Sequence, residues 1–384
     1  MLAWGPKTAG FSLGTSRHRA AWRAGVGLAL IGAGVATQVA ASRHPAAVES
    51  LYSRALYPRL AGFLGCLTGW LPFSLGEAGL AALGLGFALL LLRLAREVGR
   101  RRAVPWAELA RLLGGGLMGL GATYLAFLFL WGLNYQRQPF GRTAGLETGP
   151  APVAELRALC RELAEEANEL REGLAEDERG VMRLPDLTAG ARLRTEAGFR
   201  RLADLYPVLG GCCARVKRAL ASPLMARLGI TGIYCPFTGE PNLNTTVPDP
   251  EVPFSASHEM AHQRGFARED EANYLGYLAC RLHPDGDFRY SGVLAASLYA
   301  LDELRRADPE AATPLENLRS AAVRRDIEAL AAWAARYRGP LGRASARIND
   351  AYLRTQGQKE GARSYGRMVD LLLAERRARS RPSG

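Results

Sequence analysis

His258 and His262 stand four residues apart in "SASHEMAHQRGFAREDEANYLGYLAC", and Glu259 directly follows the first. On a helix, that spacing puts both imidazoles on one face, a turn apart, where they can hold the same ion. The Glu beside the first His then reaches a water on the ion rather than the ion itself, and can take its proton. The chain has only five histidines, so the pair does not come from a His-rich background. Ser255 or Ser257 is suited to cap such a helix, and Gly265 to end it abruptly.

A catalytic zinc takes a third protein ligand and keeps one position open. The pattern H-E-x-x-H-x-x-G-x-x-H would put that ligand at position 268, where this chain has Arg268. The next residues, Glu269-Asp270-Glu271-Ala272-Asn273, open an expected second helix. Glu269 and Asn273 share a face at i, i+4, so Glu269 is the expected ligand and Asn273 the group that steadies an imidazole N–H. Glu271 points about 200° away on an ideal helix and ranks second, with Asp270 behind it. His283, followed by Pro284, is an outside candidate. A solvated first turn also favours Asp and Glu; their position just beyond the histidines is what turns the weight towards ligation.

Hydrolysis also needs a donor for a developing oxyanion. Tyr365 in "GARSYGRM" and Tyr352 in "NDAYLR" are the candidates, with Tyr290 behind them. An extended substrate would pair with a strand edge by main-chain hydrogen bonds. The segment "GIYCPFTGEPNLNTT", marked by Gly239, Asn242 and Asn244, reads equally as that edge or as an ordinary surface hairpin.

The elements that must carry this site divide into two parts. Residues 24–41, 71–92 and 112–133 read as membrane spans, the second apolar apart from Glu77 near its start. Glycines in the third span suit close helix packing in lipid. Arg17, Arg19 and Arg23 precede the first span, and six arginines lie between Arg93 and Arg111, so both flanks are expected in the cytoplasm. Residues 1–23 then form a cytoplasmic N-terminus and 24–133 a membrane domain. The loop 42–70 is expected outside, either along the membrane surface or against the outer domain. A cleaved signal peptide is the competing account of the first span. Residues 134–376 read as an extracytoplasmic, mostly helical domain. Its stretches 192–205, 211–227, 291–306, 316–337 and 343–376 are expected helices, and 229–254 is not. Residues 377–384 are a basic tail.

The net charge of +12 comes almost wholly from scattered Arg, with Lys only at 7, 217 and 359. No recognition helix or basic stripe accompanies it, so no nucleic-acid partner is expected. None of the six cysteines forms a C-x-x-C pair. A disulfide from Cys235 to Cys212 or Cys213, or free thiols, are both open readings.

The chain resembles an uncharacterised bacterial family of multi-span membrane proteins with a zincin-like external domain. The likeness rests on "WGLNYQRQPFG", "GIYCPFTGEPNLN", "HEMAHQRGFAREDEANYLGYLAC" and "NDAYLRTQGQKEGARSYGRMVDLLLA". It implies a glutamate-type zincin in which Zn2+ is held by His258, His262 and Glu269. The resulting expectation is a membrane-anchored zinc metallopeptidase with Glu259 as general base, acting on peptide or protein in the cell envelope. The alternatives are a zinc amidohydrolase acting on another envelope component, and a non-catalytic membrane assembly or regulatory module.

Overall fold

The computed structural model describes residues 9–101, 106–211, 214–358 and 361–380. It is mainly helical, with 76% helix and 3% strand. The membrane-side helices are α1 (Ala9–Arg43), α2 (Tyr57–Thr68), α3 (Leu75–Arg101) and α4 (Trp106–Leu130). Of these, α1, α3 and α4 are long and apolar enough to cross a membrane. At 1.5 Å per residue, 25 residues reach roughly 37 Å, more than the hydrocarbon core needs.

α1 and α4 pack in parallel. A Cβ on Gly114 would lie 2.5 Å from the Ala20 carbonyl oxygen, and one on Gly121 would lie 2.6 Å from that of Gly27. Only glycine permits backbones this close, which is how lipid-embedded helices gain contact. α3 stands apart, with none of its span buried. It begins at Leu75 rather than at 71, because the Glu240 carboxylate accepts the N–H groups of Leu75 and Gly76 and so caps the helix there. α4 ends at Leu130, short of the expected 133, and Gly132–Gln136 tightens into a 3₁₀ turn.

The stretch 42–70 is helical rather than a loop. After the turn Pro45–Ala47, residues Val48–Leu56 wind as a π-helix that passes directly into α2. The five-residue repeat brings Glu49 under Arg54 at 2.8 Å and puts Tyr52 and Tyr57 on one buried side.

The rest of the chain packs around α5 (Val153–Arg171), α6 (Val252–Gln263), α7 (Glu269–Arg281), α8 (Gly286–Ala307), α9 (Pro340–Thr355) and α10 (Met368–Ser380). Leu156, Leu159, Leu163 and Ala167 on α5 bury one helical face in the same core as Val293, Ala296, Ala300 and Leu304 on α8. A small sheet has the order β1-β3-β2, from β1 (Lys217–Arg218), β2 (Gly232–Cys235) and β3 (Glu240–Leu243). β1 runs parallel and β2 antiparallel to β3.

Several expected helices are broken. The stretch 211–227 contains β1, and its helix is only Ser222–Leu228. The buried Lys217 sets this, since its ammonium donates to the carbonyls of Thr68, Leu71 and Phe73 and lies 3.3 Å from Glu240. Within 316–337 a new helix, Ala321–Arg336, starts where the Ser320 hydroxyl accepts the Val323 N–H. The stretch 343–376 divides into α9, the turn Gly361–Arg367 and α10. α10 extends to Ser380, so the start of the expected tail is ordered, with Arg377 2.7 Å from Glu155; residues 381–384 lie outside the described ones.

Candidate metal centre

α6 begins at Val252, earlier than either expected serine cap; Ser255 instead donates to Glu251 at 2.7 Å. Gly265 ends it as expected, with φ +83. There a side chain would be strained and would also strike the Tyr57 ring, 2.8 Å from a built Cβ. α7 crosses α6 closely because of Gly276, whose Cβ would lie 3.0 Å from the His258 nitrogen. This crossing carries the first residue of α7, Glu269, to the two histidines.

His258 Nε2 lies 3.3 Å and His262 Nε2 3.4 Å from the same oxygen, Glu269 Oε2. All three potential ligand atoms fall within 4.8 Å of one another. Ligands about 2.0–2.1 Å from a tetrahedral zinc stand roughly 3.3–3.4 Å apart along the tetrahedron's edge. The residues therefore fit the ion. Buried Glu269 Oε2 makes no ordinary hydrogen bond, which a cation would remedy. His262 Nδ1 contacts the Phe266 carbonyl at 2.8 Å. That contact makes Nδ1 the N–H and turns the Nε2 lone pair to the cluster.

Electrostatics agree. Burial opposes a charge on His262, but Glu269, then Glu259 and the Phe266 carbonyl, outweigh it and raise its pKa to about 9. Burial alone would raise Glu269, yet the two histidines hold its carboxyl well below the usual range. The field that keeps a proton between these groups also favours a divalent cation. Glu259 is raised, chiefly by burial, against the pull of both histidines and of the Tyr234 N–H that its carboxylate accepts. Its Oε2 has no partner.

The membrane-side elements hold the far end of α6. Trp131 Nε1 donates to the His262 carbonyl at 3.1 Å, and the Tyr57 hydroxyl to that of Gln263 at 2.8 Å. Arg137 donates to the Gly265 carbonyl at 2.9 Å while two of its nitrogens grip Glu49. Carbonyls that a helix end would leave unpaired are thus satisfied by residues just after α4 and by the first residue of α2.

Other expected residues are used differently. Asn273 is hydrogen-bonded to Tyr299, while His262 Nδ1 is on the Phe266 carbonyl and His258 Nδ1 has no hydrogen-bond partner. Glu271 accepts from the Phe140 N–H at 2.7 Å and from Arg268 at 2.9 Å, a structural clamp away from the cluster. Asp270 is not among the clustered ligands. His283 stacks on Phe288 at 3.8 Å and contacts the Arg194 carbonyl, so it is a packing residue. Tyr290 is buried against Asp326. Asn242 and Asn244 lie in or just after the central strand, with their amides spent on backbone carbonyls, and Gly239 sits in the turn between β2 and β3. The edge strands are β1 and β2, because β3 is flanked on both sides, and β2 is the one that runs beside Glu259.

Tyr352 does lie near the centre: burial and the charge of Glu269 raise its pKa to about 12, against a hydrogen bond with Tyr135. The Tyr365 side chain lies outside what the structure describes. Cys235 is free, and Cys212 and Cys213 lie outside the described residues. The sequence reading missed Gly232, Tyr234 and Tyr299. A Cβ on Gly232 would sit 2.6 Å from the Glu259 side chain, and Tyr299, on α8, feels the charges of Glu251 and Glu269. No local pattern marks these residues, which come from separate elements.

Fold and site together define a mainly helical protein with membrane-length helices and a buried His-His-Glu cluster. A family model, described as a protein of unknown function (DUF3810), matches residues 52–373, and the chain belongs to that family. No curated protein and no solved structure matches it.

Proposed function

We propose that the chain is a membrane-anchored zinc hydrolase with a zincin-like site, acting on peptide bonds. The observation that carries this is the convergence of His258, His262 and Glu269 at tetrahedral-edge spacing, with Glu259 beside them. When bound, zinc would supply Lewis acidity towards a carbonyl oxygen and lower the pKa of a water. Glu259 takes the proton of the attacking water and returns it to the leaving nitrogen. Burial holds its pKa up, which suits a group that must gain and release a proton. An intact base beside the ligands has no use in a purely structural site.

The peptide reading is supported by β2. Thr231 and Ile233 turn towards β3, accepting from Asn244 N–H and the Asn242 amide. The alternation turns the backbone groups of Gly232 and Tyr234 away from β3, towards Glu259, whose carboxylate accepts the Tyr234 N–H. An extended peptide pairs with such an edge through its main chain. Tyr299 and Tyr352, kept protonated by burial and by Glu269, are the donors for developing negative charge. The arginines flanking α1 and between α3 and α4 support an extracytoplasmic site in a cell membrane.

The test uses the full chain in detergent or nanodiscs. About one zinc per chain is expected, lost in Glu269→Ala and retained in Glu259→Gln, with peptide-library cleavage lowered about 10²–10⁴-fold in the latter. A chain that takes up no zinc after reconstitution would sink the metal reading. Zinc uptake without cleavage by the natural chain would sink the peptidase reading alone.

A further inference from the structure

We propose that the arm Val48–Phe73 lies in the plane of the membrane surface, with its outward face seated in lipid. Its two sides differ sharply. The inward side buries Tyr52, Tyr57, Ala61 and Thr68. It carries the site: Tyr57 holds the Gln263 carbonyl, Thr68 donates to the Thr238 carbonyl, and the turn at Gly239 rests on Leu64. The outward side presents Leu51, Phe63, Leu67 and Trp70, which are 72%, 62%, 53% and 76% exposed. A run of large apolar side chains along one helical side marks a surface that something covers.

Chain continuity identifies what covers it. The arm leaves the end of α1 at Arg43 and delivers the chain into α3 at Leu75, so both its ends are pinned where membrane-length helices emerge. α3 does not pack into the α1–α4 pair. The residues from Val48 to Thr68 extend roughly 30 Å, and they bridge the separated helices along the surface rather than rising from it. The outward face also has the amphipathic make-up of an interfacial helix, with Trp70 at one end and Arg54 and Arg59 exposed along it. This inference does not depend on the metal reading.

The test is a depth measurement on the full chain in lipid nanodiscs. A nitroxide is placed on exposed Cys66, the other five cysteines being replaced by alanine, and its collisions with oxygen and with a water-soluble nickel chelate are compared. Oxygen is expected to exceed nickel several-fold at 66, and nickel to exceed oxygen at a control label on Arg179→Cys in an exposed loop. Nickel exceeding oxygen at 66 would place the arm in water. Low collision rates for both would mean that protein, such as a second copy, covers it. Either result overturns the proposal. Because the alanine replacements touch buried thiols, a second measurement keeps the natural cysteines: brominated lipids should quench a larger share of fluorescence in the natural chain than in Trp70→Phe, and equal quenching would overturn the proposal as well.

Discussion

At the residue scale, the Glu259 carboxylate is positioned by a residue with no side chain. Gly232 leaves just the room that its Cγ and Oε1 occupy, each 2.6 Å from a built Cβ. Gly232→Ala should therefore displace the base. Zinc content is expected to be unchanged while turnover falls by roughly tenfold or more, since misplacing a catalytic group is costly; unchanged turnover would remove Glu259 from the proton path. The thiols give an independent check. Burial pushes Cys160 and Cys280 up to about 12, so at pH 8 only about one in ten thousand of each is thiolate. In the folded chain both should resist alkylation through pH 9 and react on unfolding or as pH approaches 12. Mass-spectrometric mapping after a brief iodoacetamide pulse reads this directly. At this scale the sequence disclosed His258, Glu259, His262 and Glu269 because they lie close along two successive helices. It could not disclose Tyr299 or Gly232, which approach from elements far away in the chain.

At the element scale, α6 is buried along its length and is also fastened at its end. Arg137 joins three segments, gripping Glu49 with two nitrogens and the Gly265 carbonyl with a third. It is 1% exposed, so truncation would leave buried Glu49 with the half-exposed Arg54 as its remaining partner and the Gly265 carbonyl without its donor. Arg137→Ala is expected to destabilise the chain by about 2–4 kcal/mol, somewhat less than orphaning a buried charge outright. Denaturant unfolding in detergent measures this, and a loss under 1 kcal/mol would show that the pair is not a fastener. The helical stretch 291–306, within α8, was readable in the sequence. The break at β1 was not, because Lys217 forms its strand by reaching carbonyls at positions 68, 71 and 73, a contact no local window contains.

At the scale of the whole molecule, the helices of membrane length and the His-His-Glu cluster are built as one unit. Trp131, Tyr57 and Arg137 all bind carbonyls at the end of α6 or in the turn just beyond it. A chain truncated to residues 138–384 lacks all three. It is expected to bind zinc at least tenfold more weakly than the full chain, or to fail to fold, as read by zinc titration and circular dichroism. Equal affinity would make the membrane helices a mere tether. The sequence reading left open whether residues 42–70 lie along the membrane surface or against the outer domain, and their inner side does contact the latter.

The sequence by itself determined the helical class, the three membrane-length helices and the pair of histidines with their glutamate, because each is written in periodicity or short spacing. Only the tertiary structure decided that Gly232 and Tyr299 approach the cluster, that β3 is the central strand, and that aromatic and arginine side chains from the elements before residue 138 hold the helix end in place. Those outcomes depend on close approach between distant segments, permitted by Gly276 and Gly265 and fixed by buried hydrogen bonds to backbone carbonyls.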